Sequence, residues 1–411
     1  MRPAIAPASI PGLRALWNAA LTGARLAGWS GSLLDVDVLL ARAARATGLT
    51  DFGDAGFREP LDLLVDGLVA TAGTDASGRQ FLAGTIQCAL ENRLRLVAAA
   101  RAQPDVARVP VTAPFVIVGL PRTGTTLLQT ALAAVPGLRT LRNWETRLPP
   151  RPPALLAPRE LERHRARAVR EVRFVNWLSP ALAGSHEIGA EAAEECNMLQ
   201  LNAMRSQLLA LFAGARYQDW LYASEFRGAY DWHRRHLQAL AYAQPPCTWV
   251  LKAPAHMASL AELLRAYPDA RVVFTHRDPV ASVASTAGLA AALWHLAAPV
   301  VDRAAAGALA MAMLVRSYGA ADAARARWPA SAPPFLDLDY ATLAREPLAT
   351  VRRILAHFGV AEPAGTGDAV LRELRALQRR RAPPARYTCA EFGLDEDEVR
   401  AAFAAEYALL G

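Results

Sequence analysis

The chain has 411 residues, of which 53% are hydrophobic and 20% charged, a globular composition long enough for a sizeable core and unlike a fibre or a disordered tail. Mean hydropathy is +0.12, but the most apolar run, Leu289 to Val301, is broken by His295 and Pro299. It falls short of the roughly 20 residues a membrane span needs, so no transmembrane segment is expected. The formal net charge of +7 suits an anionic ligand, yet the basic residues are scattered among acids without a dense stripe, which argues against nucleic acid.

Of the 45 Lys and Arg residues, 44 are arginine, and the one lysine is Lys252. A GC-rich coding bias accounts for abundant Ala and Arg, and it makes the position that keeps a lysine informative. Cys88, Cys196, Cys247 and Cys389 are far apart and lack zinc-ligand spacing, so they read as packed thiols. The first thirty residues contain no uninterrupted apolar segment of the signal-peptide kind, and a cytoplasmic bacterial protein is expected.

In chain order, residues 1–108 read as a helical region. Leu33–Leu40, Leu61–Val69 and Gln80–Arg101 carry apolar residues at helical spacing, and the region holds no catalytic cluster. From 109 to 411 the character is α/β. Pro114–Gly119, Thr248–Leu251, Arg271–Thr275 and Pro334–Leu338 are short apolar runs of the buried parallel kind, each followed by a helical pattern. Their alternation with helices predicts a doubly wound parallel sheet of P-loop-like type flanked by helices. A mostly helical insertion at about 150–245 separates the first two runs; it serves either as an acceptor lid or as packing.

Gly119-Leu-Pro-Arg-Thr-Gly-Thr-Thr126 follows the first strand. Such a turn aims backbone N–H groups at the N-terminus of the next helix, where the partial positive charge favours an anion. Arg122 adds a forked cation suited to phosphate or sulfate oxygens, and the threonines add hydroxyls. Gly119 and Gly124 have Walker A spacing, but Thr125 stands where the lysine belongs, which counts against a nucleotide hydrolase. The stretch Pro121–Thr126 after an apolar strand resembles the 5′-phosphosulfate loop of sulfotransferases, whose donor is 3′-phosphoadenosine 5′-phosphosulfate.

Two further segments extend the resemblance. Arg277 falls just past the strand ending at Thr275, where open α/β sheets bind ligands; Asp278 can cap the next helix and Pro279 can enter its first turn. The family's 3′-phosphate arginine and serine stand eight residues apart, as Arg277 and Ser285 do. Lys252-Ala-Pro254 resembles the family's K-x-P segment, whose lysine meets the phosphosulfate near the scissile bond. The resemblance thus implies that Arg122, Thr123, Gly124, Thr125 and Thr126 hold the 5′-phosphosulfate, Arg277 and Ser285 the 3′-phosphate, and Lys252 the departing oxygen. No metal is expected, since side chains and a helix terminus meet the leaving group's charge.

For the base, Glu145-Thr-Arg147 resembles the segment in which tyrosylprotein-type sulfotransferases keep a catalytic glutamate. The plain alternative is an exposed Glu145 paired with Arg142 or Arg147. His256, four residues past Lys252, is the rival base. In the insertion, Glu187, Glu191 and Glu194 fall at helical spacing beside His186 and Glu195, either as a solvated face or as part of an acceptor pocket. Tyr340 reads as scaffold, and Arg379–Arg381 with Arg386 as a basic loop near the nucleotide. The implied activity is sulfuryl transfer to a hydroxyl, secondarily an amine, of a small molecule, lipid, glycan or peptide. The alternatives are a P-loop-type kinase or phosphotransferase, requiring ATP and Mg²⁺, and a non-catalytic nucleotide-binding module.

Overall fold

A computed structural model describes residues 11–26, 32–71, 73–185, 189–328, 335–380 and 387–406. Among them, five strands form one parallel sheet: β1 (Phe115–Gly119), β2 (Leu138–Thr140), β3 (Thr248–Lys252), β4 (Arg271–His276) and β5 (Phe335–Asp339). Their order is β2-β3-β1-β4-β5, with β1 central. Ile117 lies opposite both Lys252 on β3 and Val273 on β4, and Gly119 lies opposite Thr275.

Every residue of β1 is buried, because helices cover both faces of the sheet. Phe115 and Ile117 face one layer with Leu128 and Leu132 of the helix Thr125–Ala133, and with Ile354 and Val370 of the C-terminal helices. Val116 and Val118 face the other, with Leu260, Leu263, Val283 and Leu314. Burying each such side chain contributes about 1.5–3 kcal/mol, so the central strand is firmly anchored where the loop after it begins.

β2 is the one strand the sequence does not announce: three half-buried residues, Leu-Arg-Thr, show no apolar run. By length and composition alone, the helices Pro279–Ala297 and Arg303–Ala326 are apolar enough to cross a membrane, which corrects the reading that no stretch is long enough. That expectation searched for an unbroken run, whereas Pro279–Ala297 gains its length upstream of Leu289. The two helices pack on one another, and the first is more than half buried within the protein.

The N-terminal helices Val36–Thr47, Arg58–Ala70 and Ala76–Ala102 share one core with Leu209, Phe212 and Tyr217 of the insertion helix Gln207–Ala223. The helix Ala76–Ala102 also grips the chain after β2. Asn92 donates to the Thr146 carbonyl at 2.8 Å and accepts from the Leu148 N–H at 2.8 Å. Arg93, 1% exposed, donates to the Phe52, Asp54 and Asn202 carbonyls and lies over the rings of Phe57 and Trp232.

Candidate functional site

Three neighbouring strands deliver the predicted residues to the carboxyl end of the sheet. β1 runs into the loop 120–124, which turns sharply into the helix Thr125–Ala133. Gly119 has φ 145° and Gly124 φ 88°, and a Cβ on Gly119 would stand 2.4 Å from the Thr275 carbonyl oxygen. A Cβ on Gly124 would stand 2.9 Å from the Tyr340 ring. Glycine is therefore required at both positions. Arg122 itself has φ 72°, a left-handed backbone that costs a non-glycine residue about 1–2 kcal/mol. Strain of this kind persists where the surroundings fix the loop in one shape.

Those surroundings are visible. The Thr123 hydroxyl donates to the Leu120 carbonyl at 2.7 Å and meets the Thr275 hydroxyl at 2.5 Å, buried between loop and β4. Thr123 thus faces inward, and what it offers an anion is its backbone N–H. Gly124 is the N-cap of the helix Thr125–Ala133, so it sets no capping side chain over the first-turn N–H groups.

Arg277 follows β4, and its Nη1 donates to the Arg122 carbonyl at 3.0 Å while its guanidinium lies 4.4 Å from the centre of the Tyr340 ring. Tyr340, the first residue after β5, is a platform shared by Gly124 and Arg277. Asp278 caps the helix Pro279–Ala297 by accepting from the Val280 N–H at 3.1 Å, with Pro279 at its start, as the sequence indicates. Ser285 sits half-buried two turns along that helix. Tyr387 packs against Gly288, just beyond Ser285, and so brings the end of the basic C-terminal loop to this helix. Arg381 and Arg386 lie outside the described residues.

Lys252 ends β3 and is 2% exposed; its Nζ donates to Glu195 Oε1 at 2.8 Å. His256 lies behind it in the core, fully buried. Its Nε2 is 2.9 Å from the Cys196 sulfur and its Nδ1 is 2.8 Å from the Tyr230 hydroxyl, which also meets Ser259. Burial holds His256 down to about 3 and pushes the Cys196 thiol up to about 12, so both groups stay neutral. An acceptor hydroxyl has no access to this imidazole.

Glu145 is 3% exposed, not a surface carboxylate. Arg139 donates to its Oε1, the Arg142 N–H donates to its Oε2 at 2.9 Å, and His236 bonds its carbonyl at 2.8 Å. It borders a cleft of about 480 Å³ with Arg139, Arg142, Trp144, Arg165 and Glu191, whose lining includes neither the loop 119–126 nor Lys252. Arg147 pairs with Glu91 and Glu171.

The expectation of a helical glutamate face in the insertion is corrected. Residues 189–192 form a turn, closed by the Ala192 N–H on the Gly189 carbonyl at 3.1 Å, and 193–195 run extended beside the chain after β2, because the backbone groups bond there: Asn143 N–H to the Ala192 carbonyl at 3.0 Å, Trp144 N–H to Ala190 at 2.9 Å, and Glu194 N–H to Leu141 at 2.8 Å. The glutamates consequently diverge. Glu191 pairs with Arg142, Glu194 accepts from Asn143 at 2.6 Å, and Glu195 turns to Lys252. His186 and Glu187 lie outside the described residues. Among the described residues, no three His, Cys, Asp or Glu side chains converge as a metal site would require.

Residues 114–363 match the model of the sulfotransferase family. This chain belongs to that family. The sulfotransferase is similar to solved structures of sulfotransferase STF1 from Mycobacterium tuberculosis H37Rv, at 30% identity and a TM-score of 0.78, over 92% of this chain and 100% of that one. It is also similar to sulfotransferase STF9 from Mycobacterium avium, at 26% identity and a TM-score of 0.76, over 90% and 95% of the two chains. No curated protein matches it in sequence. Three features of the site escaped the sequence: the Tyr340 platform, the Thr123–Thr275 lock and the approach of Glu195 to Lys252. Each depends on pairing across more than fifty residues, for which local spacing carries no signal.

Proposed function

We propose that this sulfotransferase moves a sulfuryl group from 3′-phosphoadenosine 5′-phosphosulfate to a hydroxyl, or secondarily an amine, by in-line displacement. The observation that carries the reading is the placement of Arg122 and the uncapped helix N-terminus after β1, Lys252 at the end of β3, and Arg277 after β4 at the carboxyl ends of three adjacent strands, with Arg277 bonded to the Arg122 carbonyl. Arg122 and the N–H groups of residues 123–126 would hold the 5′-phosphosulfate, and Arg277 with Ser285 the 3′-phosphate. The residues fit such a polyanionic ligand chemically: cations and N–H donors gather there, and the glycines leave room that a Cβ would fill. Lys252, a compact point charge, would stabilise the oxygen that leaves sulfur. Divalent metal is not needed, because fixed cations and the helix terminus answer the developing charge. The insertion and the helices beneath it would shape the acceptor site.

The reading is tested with the radiolabelled donor, p-nitrophenol or water as acceptor, and EDTA present. Label should appear as sulfate ester or inorganic sulfate, and Lys252→Ala should slow its appearance by about 10²-fold or more. Phosphoryl transfer from ATP with Mg²⁺, and none of sulfuryl from the donor, would replace this reading with a kinase.

A further inference from the structure

A base must take the acceptor's proton as its oxygen attacks sulfur, and among the described residues Glu145, His256 and Glu195 are candidates for that work. Glu145 has one carboxylate oxygen on Arg139 and the other on the Arg142 N–H, and it borders a different cleft. His256 has both ring nitrogens engaged in the core and no exposed surface. Glu195 differs from both. Its side chain is 26% exposed, and its carboxylate lies 2.8 Å from the Nζ of Lys252, the cation assigned to the leaving oxygen.

The backbone explains how Glu195 comes to be there. The antiparallel bridge between Arg142 and Ala193 leads residues 193–195 off in extended form, so consecutive side chains alternate in direction. Glu194 turns back: its carboxylate accepts from Asn143 at 2.6 Å and from the Glu195 N–H at 2.9 Å, and its carbonyl accepts from Gln129 of the loop's own helix at 3.1 Å. Glu195 turns forward to β3. The glutamine bond ties this strap to the helix Thr125–Ala133, whose N-terminus is the anion site, so strap and donor loop form one unit.

We propose that Glu195 is the general base of the sulfuryl transfer, and that it trades its contact with Lys252 for the acceptor hydroxyl when the donor binds. The assignment rests on the sulfotransferase reading given above. With the donor in place, Lys252 turns to the oxygen bridging sulfur and phosphorus, and the carboxylate is released toward the acceptor. The acceptor O–H proton passes to Glu195 as the new O–S bond forms. The bridging S–O bond breaks with its electron pair going to the phosphate oxygen, leaving the 3′,5′-bisphosphate, and Glu195 later loses its proton to water. Among the described residues, the charged and titratable groups about this carboxylate include Lys252 on β3, Glu194 on the strap, and the neutral His256 and Cys196 behind Lys252; the next pair along, Arg142 with Glu191, is exposed.

The test compares Glu195→Gln and Glu145→Gln in the full chain. It uses the labelled-donor assay with p-nitrophenol or water across pH, alongside calorimetric binding of 3′-phosphoadenosine 5′-phosphate. Glu195→Gln should lower kcat by about 10²-fold or more and abolish the acid limb of the pH–rate profile. It should leave bisphosphate affinity within about threefold, which shows that the site still folds. A residue that only holds Lys252 in place would leave the acid limb intact. Glu145→Gln should lower the thermal midpoint and keep the limb. Wild-type kcat or a retained acid limb in Glu195→Gln would overturn the assignment. A wild type that neither binds the bisphosphate nor releases sulfate would overturn the transferase reading and this assignment with it.

Discussion

Gly119 shows how much of this site rests on single backbone atoms. Its φ of 145° and the 2.4 Å approach that any Cβ would make to the Thr275 carbonyl leave no room for alanine. The same few ångströms hold the Thr123–Thr275 hydroxyl contact that fastens the loop to β4. Gly119→Ala is therefore expected to cost about 1–3 kcal/mol, because alanine at positive φ destabilises by more than the roughly 1 kcal/mol it gains by stiffening the unfolded chain. It should also spread the loop from β4 and weaken bisphosphate binding at least tenfold. Calorimetry with denaturant titration checks both, and an unchanged affinity would show that the lock is not needed for the anion site. At this scale the sequence was informative where chemistry lies in neighbouring residues. The glycines and the Asp278 cap could be read from spacing alone. Thr123 could not, since whether its hydroxyl faces the ligand or β4 depends on a residue 152 positions away.

Elements meet at a part-buried ionic knot beside Arg277. His276 ends β4; its Nδ1 bonds Glu406 at 2.8 Å, beyond the helix Glu396–Ala402, and its Nε2 bonds Asp337 of β5 at 2.7 Å. Arg325, from the helix Arg303–Ala326, holds both oxygens of the same Asp337 at 2.8 Å. Burial alone would lower the imidazole's affinity for a proton, but the two carboxylates outweigh it and raise His276 to about 9, while Asp337 is held well below the usual carboxylate range. For His276 the folded value exceeds the unfolded value of about 6.5. Its contribution is thus complete below pH 6.5 and is lost as pH rises through about 9. Asp337 behaves oppositely, losing its contribution as pH falls below the ordinary carboxylate range. Stability should fall by about 3 kcal/mol between pH 6.5 and 9.5. Denaturant unfolding of the wild type should show that slope and His276→Gln should lack most of it; equal slopes would refute the knot's role. Apolar strands and amphipathic helices were legible because their periods are local. β2 and the extended glutamate strap were not, because the strap's conformation is set by the chain after β2 that it pairs with, and β2 by its place beside β3.

Over the whole molecule, the sheet order decides which segments stand together. Placing β1 between β3 and β4 puts three sequence segments, spread from residue 119 to residue 277, at the carboxyl ends of adjacent strands. Strands in a sheet lie about 4.8 Å apart, a spacing that suits one extended anionic ligand lying across all three. The net charge of +7 adds a weak general attraction for such a ligand. Family membership and the α/β frame were legible in the motifs and their order; how the N-terminal helices support the insertion was not, because Asn92 and Arg93 act on partners more than thirty residues away. The central claim is that the residues at this end of the sheet read a 3′-phosphate. Its most direct test is calorimetry with 3′-phosphoadenosine 5′-phosphate, against ATP and ADP, on the wild type and Arg277→Ala. Binding of the bisphosphate that is absent for ATP and weakened by about thirtyfold or more in Arg277→Ala, some 2–3 kcal/mol, is the predicted result. Equal binding of ATP, or indifference to the loss of Arg277, would contradict it.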